Sequence, residues 1–325
     1  MEKKFQFITH SNHDPYFNLA SEEYLLKQKD GFYLYLWINA PSVIVGVNQN
    51  AFKEVNLNYT EKNGIKVVRR LTGGGAVYHD LNNINYTIIA PHHESENLYK
   101  EFSAPIIEYL SSLGIKAEFS GRNDILVDGK KISGNAQTVF GDRVMHHGTL
   151  LFDTDTSVLS FALNPNKLKI ESKGIKSVRS RVVNIKDCLK KTLTVSEFLN
   201  GLAQKFLMIS EQYEFTKQDL IAINKLRDEK YCTYEWNIGR SPKGSIFFEE
   251  RFDFGIVSIG FDTKDGLIEN AEIYGDFFCK KDVKELAQKL NGVKFDKSAV
   301  LDALKDLSEY IVGGNAKKIV DKMFL

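Results

Sequence analysis

The stretch RRLTGGGAVYHD, residues 69–80, is where the reading of this chain turns. Three successive glycines, Gly73 to Gly75, give up backbone entropy on folding, so a packed domain needs a reason to keep them. The run lacks the Gly-Lys-Ser/Thr ending of a P-loop. It also leads into a strand pattern, not a helix, which sets aside the dinucleotide-binding turn. Two readings stay open. One is a plain β-turn built on flexible glycines. The other is a tight turn whose N–H groups converge into an anion-binding nest. Arg69 and Arg70 before it, and Tyr78, His79 and Asp80 after it, weigh toward the second, because an arginine fork suits phosphate or carboxylate.

Working outward, VVRRL at 67–71 and NYTIIA at 85–90 read as strands, as do FYLYLWI at 32–38 and SVIVGV at 42–47. All are β-branched or aromatic and lack a helical period. Asp14 followed by Pro15 predicts an N-cap and a helix to about Gln28. Tyr16, Phe17, Leu19, Ala20, Tyr24 and Leu26 form its apolar stripe. Glu23 falls inside that stripe, and an edge position reaching solvent is the preferred reading over a carboxylate at a cleft wall. Leu98 to Leu113 carries a second amphipathic face ended by Gly114, with Pro105 predicted to kink it or mark a late start. Further strands are expected through 115–152, and the box Thr194-x-x-Glu197 opens another helix. The pattern breaks around Arg240, Pro242 and Gly244. Beyond it, three strands and helices at about 282–291, 297–310 and 315–323 make a compact α+β unit. The expected domains are therefore 1–240 and 245–325.

A second constellation is GRNDILVDGKKISGNAQ at 121–137, where Asp128-Gly129 between alternating runs signals a two-residue hairpin turn. The register that follows pairs Leu126 with Lys131 and Asp124 with Ser133. Asp124, Leu126, Lys131 and Ser133 then share one face, as either a solvated surface pair or a site. In HHGTLLFD at 146–153 the adjacent His146 and His147 point to opposite faces of a strand, so they do not share a metal. The segment 164–181 carries Lys167, Lys169, Lys173, Lys176, Arg179 and Arg181. It reads as a solvated loop or as a flap over a phosphate-bearing intermediate.

Composition narrows the classes. There are 43 basic and 42 acidic residues in 325, and 43% of residues are hydrophobic. A near-neutral balance and a pI of about 7.7 argue against a dedicated nucleic-acid binder. No apolar run approaches a membrane span, and the first residues lack a signal-peptide core. Three widely separated cysteines, Cys188, Cys232 and Cys279, argue against a disulfide framework or zinc cluster. The expectation is a cytoplasmic protein.

Taken in order, DPYFNLASEE (14–23), GVNQNAFKEVN (46–56), RRLTGGGAVYHD, GRNDILVDGKKISGNAQ, HHGTLLFD and KGIKSVRSRVVNI (173–185) resemble the lipoate-protein ligases over the whole chain. The resemblance implies a large catalytic domain with mixed β-sheets flanked by helices, similar to biotin-protein and lipoate-protein ligases, plus a small α+β C-terminal domain. It also implies ATP-dependent activation of lipoate to lipoyl-adenylate. Transfer then goes to a lysine of apo lipoyl domains: the acyltransferase subunits of 2-oxoacid dehydrogenases and the glycine-cleavage H protein. Lys131 matches the lysine that contacts carboxylate and α-phosphate. Arg70, Gly75, Ala76, Val77 and Tyr78 match the nucleotide and acyl stretch. Asn123 and Asp124 match the part near the nucleotide and its magnesium, with Asp124 as the Mg2+ candidate. His79 and His147 match motif positions without an assigned role. Leu126 and residues beside the turn are expected to wall the acyl slot. Two rivals are an ATP-independent octanoyl or lipoyl transferase, which would need a cysteine nucleophile, and a non-catalytic lipoyl-domain binder.

Overall fold

The computed structural model describes residues 4–121, 123–163, 181–239 and 246–324. Before residue 240 the strands are β1 (Phe5–Thr9), β2 (Phe32–Ile38), β3 (Ser42–Val45), β4 (Lys66–Arg69), β5 (Val77–His79), β6 (Asn83–Pro91), β7 (Ala117–Ser120), β8 (Asp124–Val127), β9 (Lys130–Phe140), β10 (Arg143–Leu151) and β11 (Ser210–Gln212). Eight of them form one mixed sheet in the order β11-β1-β2-β6-β10-β9-β8-β7. β1 runs parallel to both of its neighbours, and the pairs from β2 onward are antiparallel. A small second sheet has the order β4-β3-β5, with β3 parallel to β4 and antiparallel to β5.

The two faces of the large sheet are covered differently. Helices Leu98–Ser112 and Val195–Leu207 pack one face through Phe102, Ile106, Leu110, Phe198, Leu202 and Phe206. Helix Pro15–Lys27 and the small sheet cover the other through Phe17, Leu25, Ile44 and Val68. The Thr194 capping box forms as expected, each partner serving the other's backbone N–H. Pro105 sits inside the continuous helix 98–112, so it marks neither a start nor an end.

Helix Pro15–Lys27 opens on Asp14, whose side chain accepts from Tyr16 N–H. It is buried nearly all round, and this corrects the reading of Glu23 as an edge residue. Glu23 is enclosed, with Lys27 at 3.1 Å, Lys230 at 2.6 Å and the Tyr231 hydroxyl at 2.7 Å. Burial pushes its carboxyl up. The two ammonium groups and Tyr231 outweigh that and hold it below the usual range. A stripe read from one helix does not show that a third layer closes over its other side.

Beyond residue 245, β12 (Ile246–Phe252), β13 (Gly255–Lys264) and β14 (Leu267–Gly275) form an antiparallel meander. Helices Val283–Leu290, Lys297–Ala303, Leu307–Tyr310 and Ala316–Met323 pack on it. The expected helix over 297–310 is thus two, separated around Leu304. This unit has its own core, in which Phe261, Leu286, Leu290 and Ile319 are buried. The expected boundary at 240–245 lies outside the described residues. Among those residues, no helix is long and apolar enough to cross a membrane.

Candidate active site

The glycine turn is held by its own arginine. Arg70, buried, donates from Nη2 to Gly73 O at 2.6 Å and Gly75 O at 2.9 Å, from Nη1 to Ile44 O at 3.0 Å, and from Nε to Thr72 Oγ1 at 3.0 Å. Burial lowers its guanidinium to about 10. Since a trans peptide points N–H opposite to C=O, fixing the Gly75 carbonyl turns the Ala76 N–H away from Arg70. Among the described residues no partner takes the N–H of Gly75 or Ala76. Arg69 does not join Arg70 in a fork. It is fully buried and donates to the backbone carbonyls of Gly46, Val47, Gln49, Trp236 and Asn237. It ties two loops to the end of β4.

The glycines answer to packing as much as to conformation. Only Gly74 of the three lies at positive φ, +91°. A Cβ at Gly73 would stand 2.4 Å from Phe277 O, and one at Gly46 would stand 2.2 Å from Gly74 O. Gly74 N–H donates to Phe277 O at 3.3 Å, and Gly275 N–H to Asn48 O at 2.6 Å. The turn is therefore a seat for the C-terminal unit as well as a wall of the site.

Behind the turn runs a buried chain of hydrogen bonds. Thr72 Oγ1 stands 2.8 Å from His147 Nε2, and His147 Nδ1 stands 2.8 Å from Glu22 Oε1. Glu22 also accepts from Thr87 at 2.6 Å. His146 faces the other way, 2.8 Å from Gln137, as expected for neighbours on a strand. Among the described residues no cluster of His, Cys, Asp or Glu suits a protein-held metal.

Across the cavity stands the hairpin. Asp128 and Gly129 both take positive φ, +48° and +73°, as the two-residue turn requires. Lys131 pairs with Leu126 as expected, but the register slips by one residue between Ile125 and Leu126. Asp124 therefore faces Gly134 instead of Ser133, and Ser133 turns into the core beside Ile125. A β-bulge of this kind cannot be read from alternation. Asp124 and Lys131 remain together, with Lys131 Nζ 2.7 Å from Asp124 Oδ1. That oxygen is sealed from solvent and makes no aligned hydrogen bond, and its charge is met by the Lys131 ammonium. Lys131 is held at its backbone by the end of the basic segment and the residues after it, donating to Arg181 O at 2.8 Å and accepting from Val183 N–H at 3.0 Å. The segment expected to act as a flap lies, apart from Arg181, outside the described residues.

The cavity between these walls brings together Lys131, Arg70, Gly75, Ala76 and Val77. Tyr78 points the other way, into a small core with Val43, Val45 and Val55. Leu126 does not line the cavity. Its apolar walls are Leu19, Trp37, Ile44 and Ala136, with Phe278 contributed by the C-terminal unit. Leu19 and Trp37 sit in stretches legible only as helix and strand, and nothing in the sequence marks Phe278 as a neighbour of residue 74. None of the three free cysteines is in the lining.

Comparison with known proteins places both parts of the chain in one family. Residues 14–207 match the family model "Lipoyl protein ligase A/B catalytic domain", and residues 241–323 match "Bacterial lipoate protein ligase C-terminus". The chain is 43% identical to the lipoate-protein ligase LplJ of Bacillus subtilis over 96% of its length and 97% of that protein's. It is 44% identical to lipoate-protein ligase 1 of Staphylococcus aureus over 94% and 95%. Among solved structures, Plasmodium falciparum LipL1 in complex with lipoate superposes with a TM-score of 0.75 at 26% identity, covering 98% of each chain. A lipoate-protein ligase A bound with ATP gives 0.62 at 29%, over 74% of this chain and 99% of that one.

Proposed function

The chain belongs to the lipoate-protein ligase family, and from that premise we propose that it joins lipoate to protein in two ATP-dependent steps. In the first, a lipoate carboxylate oxygen attacks the α-phosphorus of ATP. The bond to pyrophosphate breaks, and lipoyl-adenylate forms. In the second, the amine of an acceptor lysine attacks the acyl carbon, AMP leaves, and the amine's proton passes to solvent. The acceptors we propose are apo lipoyl domains of 2-oxoacid dehydrogenase acyltransferase subunits and the glycine-cleavage H protein. One structural relative was solved as a bi-partite ligase with its E2 lipoyl domain.

The observation that carries this reading is the place of Lys131. Its ammonium lines the cavity opposite the glycine turn, and its side chain is 36% exposed with Asp124 as charge partner. Carboxylate and phosphate repel as they approach, and an ammonium between them relieves that repulsion and stabilises charge in the transition state. A partly solvated ion pair is worth little, so Lys131 can exchange Asp124 for the substrate anions at small cost. Once Lys131 has turned to the substrate anions, the Asp124 carboxylate would suit a magnesium ion, which is commonly held by one or two carboxylates plus substrate phosphates. Bound there, the ion would neutralise phosphate charge. Arg70 acts through the turn: it holds the Gly73 and Gly75 carbonyls inward and leaves the Ala76 N–H turned away from itself. Leu19, Trp37, Ile44 and Val77 offer the acyl chain an apolar slot. We place the enzyme in the cytoplasm, where its three unpaired cysteines would stay reduced.

The transferase rival needs a thiolate at the cavity. The nearest cysteine in sequence to a lining residue, Cys279, is pushed up to about 12 by burial. The test is pyrophosphate release on adding ATP, magnesium and lipoate. Release that depends on lipoate supports the ligase. Acyl transfer without ATP would replace it with the transferase.

A further inference from the structure

His79 is buried and lines the cavity, yet the reaction above gives it no task. Its neighbours fix its tautomer. Asn18 Nδ2 donates to Asn39 Oδ1 at 2.9 Å, so the group Asn39 presents to His79 is its NH2, 3.1 Å from Nδ1. An amide nitrogen only donates, so His79 Nδ1 accepts and carries no hydrogen. Burial, with Arg70 and His147 adding to it, lowers the imidazole to about 3. The ring is therefore neutral at ordinary pH, and its one N–H is on Nε2. That nitrogen is sealed from solvent and has no hydrogen-bond partner among the described residues. A buried donor without an acceptor is rare in folded proteins and calls for a reason.

Its surroundings indicate what the missing acceptor is. The Trp37 ring lies 6.2 Å from the imidazole, centroid to centroid, and Leu19 and Ile44 line the same cavity. β2, which carries Trp37, is separated from β9, which carries Lys131, by β6 and β10. Three interstrand spacings make this about 14 Å. With the carboxylate at Lys131, the far end of the acyl chain comes to the Trp37 side, where His79 Nε2–H is the unmatched donor. A plain hydrocarbon tail has no acceptor to offer there. A dithiolane ring has two sulfurs.

We propose that His79 Nε2–H donates a hydrogen bond to a sulfur of the lipoyl ring and thereby sets a preference for lipoate over octanoate. This rests on the ligase reading above. Sulfur is a weak acceptor, so the preference is modest, about three- to tenfold in kcat/KM.

The experiment compares lipoate, octanoate and a carbocyclic analogue of lipoate with both ring sulfurs replaced by methylene. Acid-dependent pyrophosphate release is measured in wild type, His79→Phe and His79→Gln. Wild type should favour lipoate over the carbocycle by about three- to tenfold. His79→Phe should bring that ratio to about one with KM for ATP unchanged, while His79→Gln, still a donor, should keep part of it. A wild-type ratio near one overturns the inference, and this arm needs no variant to fold. A ratio unchanged in His79→Phe overturns it too. Equal losses on all three acids would mean that Nε2–H serves a buried water, again overturning it. If wild type releases no pyrophosphate with any acid, it is the ligase reading that fails.

Discussion

The two walls of the cavity are built on opposite principles. On the glycine side, buried Arg69 reaches five backbone carbonyls and buried Arg70 three more plus Thr72. On the hairpin side, Lys131 and Asp124 are each 36% exposed and, among the described residues, hold only one another by charge. The first wall cannot adjust without leaving buried polar groups unpaired, which is costly. The second can rearrange cheaply. In the proposed reaction a rigid wall would set shape, and the Lys131 cation would follow charge as it moves from carboxylate to phosphate.

The largest effect that would break this comparison is at Lys131. Lys131→Ala should slow lipoate-dependent pyrophosphate release by at least ~10²–10³. The melting temperature should barely move, because the pair is partly solvated. A wild-type rate of adenylate formation would place the chemistry elsewhere.

On the rigid wall the order reverses, with stability suffering first. Gly46→Ala sets a Cβ 2.2 Å from Gly74 O, backbone against backbone. We expect a loss of about 3 kcal/mol, the upper end of ordinary overpacking, read from the urea midpoint. A midpoint equal to wild type would show that the turn yields after all.

Acid should also weaken the fold as a whole. Burial lowers both His79 and His146 from 6.5 to about 3. Between those values the unfolded chain binds protons that the native one refuses, so stability falls as pH drops below 6.5. At pH 5 this amounts to ~2 kcal/mol per histidine. Urea midpoints at pH 7 and pH 5 measure it, and His79→Gln should remove about half of the drop. An unchanged drop in that variant would mean that His79 titrates normally in the folded protein.

The smallest effect concerns the third wall. Phe278→Ala removes a partly buried ring from the cavity, which should raise the KM for lipoate by roughly fivefold, about half of what a fully buried ring contributes. No change would mean that the C-terminal unit closes the cavity without touching the acyl chain.

Much of this was legible in residue order. The Asp128-Gly129 turn, the capping box at Thr194 and the strand after the glycines are local, and each follows from backbone preferences of a few neighbouring residues. Lys131 was legible for the same reason, since it lies two residues past a turn that sets its pairing with Leu126. What escaped was non-local. The extra residue at Ile132, opposite the Ile125–Leu126 step, displaced Ser133, the layer over helix Pro15–Lys27 buried Glu23, and the pairing of Arg69 with loop carbonyls removed it from the fork.

By itself the sequence determined the elements, the family and the place of Lys131 beside its hairpin turn, because these depend on short spacings and on motifs in a fixed order. Tertiary structure alone decided the purpose of the glycines. Whether a missing Cβ serves a phosphate, a turn or a neighbouring backbone depends on what comes within 3 Å of it. Here, at Gly73 and Gly46, that neighbour is a carbonyl, Phe277 from about two hundred residues away in one case and Gly74 from the facing turn in the other.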